Sequence, residues 1–387
     1  MSCFQSSRLE VVITRRALLG TSLNATASLV VSACGRRRRP AFRGYAFIAN
    51  AESKAIAVVD LEAMAVARNI PLQDSPDQLL SSPSSPFIYA LSAQTGKVYE
   101  IAADRLAVAR KFSTESSAIE AHLADQDRLL YVLAREPRAL LAVSVDPAQV
   151  ASPRPAWRLN LPEAPLGFAI SPDHKTAAVT TPAGIHIVAI GTTKVPVPAA
   201  QGDFGRMLFL ADSRTLIAAN RGEKKLSLFD VASSRLITHL PLGLRPDHLC
   251  FNADGGQLFV TGEGVDAVVV VYPFHTPEVA ETVTAGHEPG PMAVSQSFLF
   301  IASPGADDVS VMQIASRRVI AIAPTGREPG AIAVTPDDQF ALILNRQSGD
   351  VSVLRIDAIT RNRDRRASLL TVIPVGSRPV SAVVRAV

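Results

Sequence analysis

The chain has 387 residues, of which 48% are hydrophobic and only 19% charged, too apolar for a disordered segment and ample for an extended core. The net charge of +4 is modest and part of it is the run Arg36–Arg39, so the remaining balance offers no basic groove for nucleic acid. Three cysteines, Cys3, Cys34 and Cys250, include no Cys-x-x-Cys spacing and exclude a disulfide framework within one domain, a zinc ribbon and a c-type haem attachment.

The first element is an address. Thr14-Arg15-Arg16 precedes a mildly apolar stretch that ends in Val31-Ser32-Ala33-Cys34. A positive pair, an apolar run and a small-residue exit form the pattern of an export signal. The stretch is too rich in Ser, Thr and Asn for a spanning helix. Arg15 and Arg16 resemble a twin-arginine signal, the general route being the alternative. Residues 31–34 resemble a bacterial lipobox in which Cys34 is lipidated. The expected organisation is a signal over 1–33, a lipidated Cys34 with a basic linker over 34–43, and one domain over 44–387. The product would sit in the periplasm or on the outer cell surface, tied to membrane. Arg36–Arg39 would then lie near anionic head groups.

From Gly44 onward a phrase recurs: an apolar run, a polar turn, and a second alternating run. It reads Phe47–Asp60, Leu216–Asp230, Leu299–Met312 and Leu342–Leu354. Runs of four to six residues rich in Val, Ile, Leu and Phe, bounded by Gly, Asn, Asp or Ser, predict strands and turns. A second anchor, Gly-x-x-Pro before an apolar strand, occurs at Gly243–Pro246, Gly286–Pro289, Gly326–Pro329 and Gly376–Pro379, with prolines 43, 40 and 50 residues apart. Weaker copies fall at Pro76, Ser117, Pro165 and Phe204.

Units of roughly 40 residues with four short strands predict an all-β β-propeller. Eight blades are preferred, and seven follow if the weak units at 116–161 and 164–199 merge. The domain opens on a second strand, Tyr45–Asn50, and closes on an orphan inner strand from Arg378 to Val384. Pairing the C-terminal strand into the N-terminal blade would complete the ring and hide two edges.

The phrase "apolar-aromatic-Val-Thr/Ala-Asn, polar turn, Val-Ser-Val-Ile-Asp, outer strand, Val-Gly-x-x-Pro" resembles the YVTN β-propeller repeat family. The resemblance is clear over 203–387, fair over 44–113 and poor between. It implies a propeller of the exported or surface-layer kind and says little about function, since propellers host binders, scaffolds and enzymes.

In a propeller the loops entering the inner strands gather at the mouth of the channel. The variable positions there predict a ring of Asp74, Glu115, Glu163, Asp203, Arg245, His287, Glu288, Arg327, Glu328 and Arg378, with Asp247 and His248 close behind. Charges of both signs over a concave mouth suit a polar ligand or a peptide; charges that merely fill solvated turns and pair with one another are the alternative. The expected ligand site is Arg245, Asp247, His248, His287, Glu288, Arg327, Glu328 and Arg378.

No catalytic residue is assigned, because Gly-x-Ser-x-Gly, the P-loop and the dinucleotide fingerprint are absent. Seven scattered histidines predict no metal site, no cofactor is assigned, and Cys250, in an apolar run, is expected to be a buried thiol. The expected function is a monomeric, non-catalytic binding or scaffold propeller of the cell envelope, meeting a protein or polymer. A haem-binding or lactonase-like propeller, with His248 or His287 as axial ligand in the haem case, is the alternative.

Overall fold

The computed structural model describes residues 42–82, 85–114, 117–124, 129–146, 155–274, 276–361 and 369–386. The signal, Cys34 and its arginines, and Glu115 therefore lie outside the described residues. Eight antiparallel sheets form a ring of blades. We number them so that blade 1 holds Gly44–Asn50, Ala55–Asp60 and Ala65–Pro71. The units around Ser117 and Pro165 form separate sheets, blades 3 and 4, which removes the seven-blade count.

The inner strand of blade 1 comes from the other end of the chain. Pro379–Ala386 pairs antiparallel with Gly44–Asn50, setting Tyr45 against Arg385 and Phe47 against Val383. The Ala51 amide donates to the Arg378 carbonyl at 2.9 Å. The Arg385 guanidinium donates to the carbonyls of Ser82 and Ser85, so the last strand also fastens blade 2.

The reason the ring closes is visible in the side chains of each middle strand. Successive residues of a strand point to opposite faces. In blade 1, Ala46, Ile48, Ala57 and Val59 pack on Leu342, Leu344, Val351 and Val353 of blade 8. The alternate set, Phe47, Ala49, Ile56 and Val58, packs on Ile88, Ala90, Tyr99 and Ile101 of blade 2. Each of the other six junctions between neighbouring blades has its own apolar cluster, so a blade is sticky on both faces and no junction is skipped.

Blade 4 departs from the four-stranded expectation. It has three strands, Gly167–Ile170, Thr176–Thr181 and Gly184–Ala189. The place of its outer strand is taken by an isolated bridge between Ile185 and Ala200. Pro196 and Pro198 precede that bridge, and a residue without an N–H cannot sustain a ladder there. The other seven blades are four-stranded. The helix Ile356–Arg361 precedes the outer strand of blade 8 and drops Ile356 and Ile359 onto the junction of blades 7 and 8.

Candidate functional site: the channel and its rim

The Gly-x-x-Pro loops work as latches. A Cβ on Gly326 would overlap Ser348 Oγ and stand 2.6 Å from Asp350 Oδ1 and 2.7 Å from Asn345 Nδ2, and one on Gly286 would overlap Ser303 Oγ; on Gly376, whose φ is 128°, it would stand 3.1 Å from Ser53 Oγ and Asn50 Nδ2. The residue before proline adopts a left-handed backbone at Glu288, Glu328 and Arg378, with φ of 50°, 55° and 57°. Its N–H reaches the preceding blade: Glu288 to Asp266 Oδ1 at 2.9 Å, Glu328 to Asp307 Oδ1 at 2.8 Å. At Glu328 and Arg378 its carbonyl accepts from the residue that follows the second strand, Arg346 N–H at 3.0 Å and Ala51 N–H at 2.9 Å. In the Gly243 loop the residue before proline, Arg245, is not left-handed and the glycine takes the positive φ of 77°.

These latches divide the predicted ring into three settings. Arg245 pairs with Glu263 at 2.9 Å and reaches Asp203 at 3.8 Å. His287 Nδ1 lies 3.1 Å from Asp266, with Glu288 at 4.0 Å from Nε2. Asp266 holds the exposed imidazole above its usual pKa, while the Glu288 N–H first and then the imidazole keep Asp266 below its ordinary value. Such rim pairs contribute little net energy. Glu328 and Arg378 instead line a recess of about 620 Å³ between blades 8 and 1, with Arg346 and Glu52. Arg327 is exposed, its N–H held by Ser348 Oγ at 3.0 Å.

Among the described residues of the predicted set, Asp247 and His248 alone line the channel, in a cavity of about 610 Å³ bounded by the inner strands of blades 3 to 7. Asp74 is turned into blade 2, where Lys97 at 3.0 Å and the Tyr99 hydroxyl hold it. The Tyr99 hydroxyl loses its proton only at about 12, chiefly through burial. Glu163 accepts the Ala183 N–H at 2.8 Å.

A regular device places side chains in the channel. Each inner strand is entered through a buried residue: Pro379, Pro76, Ala118, Pro165, Phe204, Pro246, Pro289 or Pro329. Two positions later stand Ser381, Gln78, Glu120, Gly167, Arg206, His248, Pro291 and Ala331. In blades 1, 3, 5, 6 and 8 the pairing slips at this point, and such bulges re-aim a side chain.

On one side of the ring these residues join hands. Ser381 Oγ accepts the Leu79 N–H at 3.0 Å, Gln78 Oε1 the Ala121 N–H at 2.8 Å, and Glu120 Oε1 the Phe168 N–H at 2.9 Å. Blades 1 to 4 are thereby stitched together. Gly167 ends the chain of bonds because it has no side chain to extend it.

The opposite side is open and carries charges of both signs. Arg206 lies 3.6 Å from Glu120 across the gap above Gly167. Arg221, directly after the second strand of blade 5, reaches Asp247 Oδ1 at 3.1 Å. His248 makes no hydrogen bond among the described residues. Burial first, and then the charges of Arg206 and Arg346, push its pKa down, so the ring is neutral near pH 7. Cys250, further along the same strand, is partly covered and its thiol is raised to about 11 by burial. Among the described residues no group of three or more His, Cys, Asp or Glu side chains is arranged to hold a metal.

Glu120, Arg206, Arg221 and Arg346 are not singled out by the sequence reading. The signal for Arg221 and Arg346 is the shared pair Asn220-Arg221 and Asn345-Arg346, at one phase of the repeat.

The sequence profile of the seven-bladed β-propeller lactonase family matches residues 246–370, under half of the chain. A seven-bladed β-propeller protein of Mycobacterium tuberculosis is 23% identical over 169 residues, 42% of this chain and 41% of that protein. The matched part thus spans about two fifths of the relative's length. Among solved structures, the dihydro-haem d1 dehydrogenase NirN superposes with a TM-score of 0.71 at 12% identity, covering 88% of this chain and 74% of that one. AztD of Citrobacter koseri gives 0.66 at 12%, covering 89% and 98%. A putative 6-phosphogluconolactonase of Bacteroides fragilis gives 0.56 at 15%, covering 88% and 98%. Together these place the chain among β-propellers; at such identities the structures share the fold alone.

Proposed function

We propose that this chain is an exported, lipid-anchored, non-catalytic binding propeller that captures a polar ligand, or a loop of an envelope protein or polymer, in the open side of its channel. The observation that carries the reading is the cavity between blades 3 and 7. It is large enough for a small molecule, it is bounded by a fixed belt on one side, and it holds an imidazole without a protein partner beside Arg206 and Arg221 of blade 5. Anchoring through Cys34 and export through Arg15 and Arg16 rest on the leader motif, with YVTN-type repeats in support.

The test of the channel is Gly167→Trp. A Cβ at Gly167 meets nothing closer than 3.4 Å and Gly167 lines the cavity, so a large side chain there is placed to obstruct it. Full-length wild-type protein purified from its own envelope should carry or pull down a ligand that the variant loses. Equal recovery would refute the channel reading. For the anchor, Cys34→Ser should release the protein from the membrane fraction.

One observation favours a second reading, a tetrapyrrole carrier: an unpartnered, neutral His248 faces the cavity, and NirN, named for a haem d1 derivative, shares the fold. A visible absorption band in the native protein, or one gained on adding haem and lost in His248→Ala, would replace the first reading by this one.

A further inference from the structure

Gln78 and Gly167 stand at the same place in two blades, two positions after the buried proline that opens each inner strand. What the Gln78 side chain does there is specific. Its Oε1 accepts the Ala121 N–H at 2.8 Å and its Nε2 donates to the Ala121 carbonyl at 2.9 Å. One carboxamide thus closes both backbone groups that Ala121 of blade 3 turns away from its partner strand, as a neighbouring strand would.

The same pair of groups is presented one blade beyond Gly167. In an antiparallel ladder every second residue turns its N–H and C=O away from its partner strand. The Leu210 N–H donates to Thr215 O at 2.9 Å, and counting back through the register puts Met207, opposite Ala218, in the turned-away phase. Leu249 and Met292 hold that phase in blades 6 and 7, where it is set by Asn252 N–H to Gln257 O at 2.9 Å and Ser295 N–H to Phe298 O at 2.8 Å. At the belt position ahead of these three edges stand Gly167, Arg206 and His248. The first has no side chain, the second can only donate, and the third makes no hydrogen bond among the described residues. Met207, Leu249, Met292 and Gly167 all border the one channel cavity. An open strand edge is a template for pairing, and its backbone groups call for a partner.

We infer that the channel takes a peptide segment, one amide of which lies over Gly167 and pairs with the Met207 edge as the Gln78 carboxamide pairs with Ala121. This rests on the channel-binding reading above and names the ligand class for it. An amide fits where a carboxylate does not, because the edge asks for a donor as well as an acceptor. A peptide fits better than a lone amide, because three successive blades present the same edge and main-chain pairing supplies its affinity. The charges beside it, Arg206 and Glu120 at 3.6 Å from each other, are of both signs and select neither an acidic nor a basic ligand.

Amide NMR of the isotope-labelled, detergent-solubilised full-length chain, titrated with N-acetylglycinamide, tests this. The Met207 N–H resonance should shift and saturate, while that of Ala121, already closed by Gln78, should stay. N,N-dimethylacetamide, an amide without an N–H, should bind at least tenfold more weakly. Gly167→Gln should reproduce the Gln78 arrangement against Met207 and abolish the response, since a Cβ there meets nothing closer than 3.4 Å; Gly167→Ala should retain it. Gln78→Gly, with the thermal transition retained, should make Ala121 responsive. A Met207 resonance that stays put, that moves equally with dimethylacetamide, or that still responds in Gly167→Gln overturns the inference. Tighter binding of N-acetylglucosamine than of N-acetylglycinamide overturns the peptide in favour of a sugar-borne amide. If Met207 stays put while Gly167→Trp still abolishes capture of the native ligand, the amide is rejected and the channel reading stands.

Discussion

Replacing Gly326 by alanine isolates the role of the Gly-x-x-Pro glycine. Gly326 is not in the left-handed region, so alanine carries no backbone penalty, and any cost comes from what its methyl meets. That is the polar corner of blade 8: Ser348 Oγ, Asp350 Oδ1 at 2.6 Å and Asn345 Nδ2 at 2.7 Å. Asn345 Nδ2 donates to Asp350 Oδ1 at 2.6 Å and to Ser352 Oγ at 2.9 Å, and the methyl must displace one side of that fork. Overpacking costs about 1–3 kcal/mol, and each hydrogen bond lost adds about 0.5–1.5 kcal/mol, for a sum of about 2–4 kcal/mol. At no more than about 2–4 °C per kcal/mol for a chain this long, the thermal midpoint should fall by roughly 5–10 °C. Gly255 serves as the reference, with φ of 74° and nothing within 4 Å of where a methyl would stand. There alanine should cost only the left-handed strain of about 1 kcal/mol. Differential scanning calorimetry decides: Gly326→Ala as mild as Gly255→Ala would refute the steric account of the motif.

Two further outcomes follow from the closure and the rim. Deleting 379–387 strips Ala382 and Val384 from the junction of blades 8 and 1, and Val380 and Val383 from that of blades 1 and 2. With partial burial of each, the loss is on the order of 5 kcal/mol, a large share of a typical domain's stability; circular dichroism melts and size exclusion should show loss of the cooperative transition or association through the bared edge. His287 should titrate above its ordinary 6.5 because of Asp266. Its pairing therefore stabilises below pH 6.5 and is lost as pH rises through the raised value. NMR titration should bring it back to the ordinary value in Asp266→Asn, and high salt should weaken the shift in wild type.

The ring is legible because its cause is periodic: apolar runs on both faces and a glycine-proline latch recur, and the orphan strands at the two ends can only satisfy each other. Blade 4 reads as a full blade as long as its apolar runs are counted without asking whether Val195-Pro-Val-Pro198 can sustain a ladder. The channel is half legible. Asp247 and His248 follow a clear latch, so their approach to the mouth can be expected. Arg206 follows Phe204, a copy without the proline, and a bulge shifts its phase by one, which hides it from a period-two reading. Arg221 and Arg346 sit outside the inner strands altogether, and glycines opposite them leave room for Arg221 at the channel and for Arg346 at the recess between blades 8 and 1.

Hydrogen–deuterium exchange of the full-length protein with and without a native envelope extract tests the channel most directly. The account predicts new protection in Phe204–Phe209 and Arg245–Phe251 and around Arg221, absent in Gly167→Trp. Protection confined to the outer strands, or none at all, would contradict it.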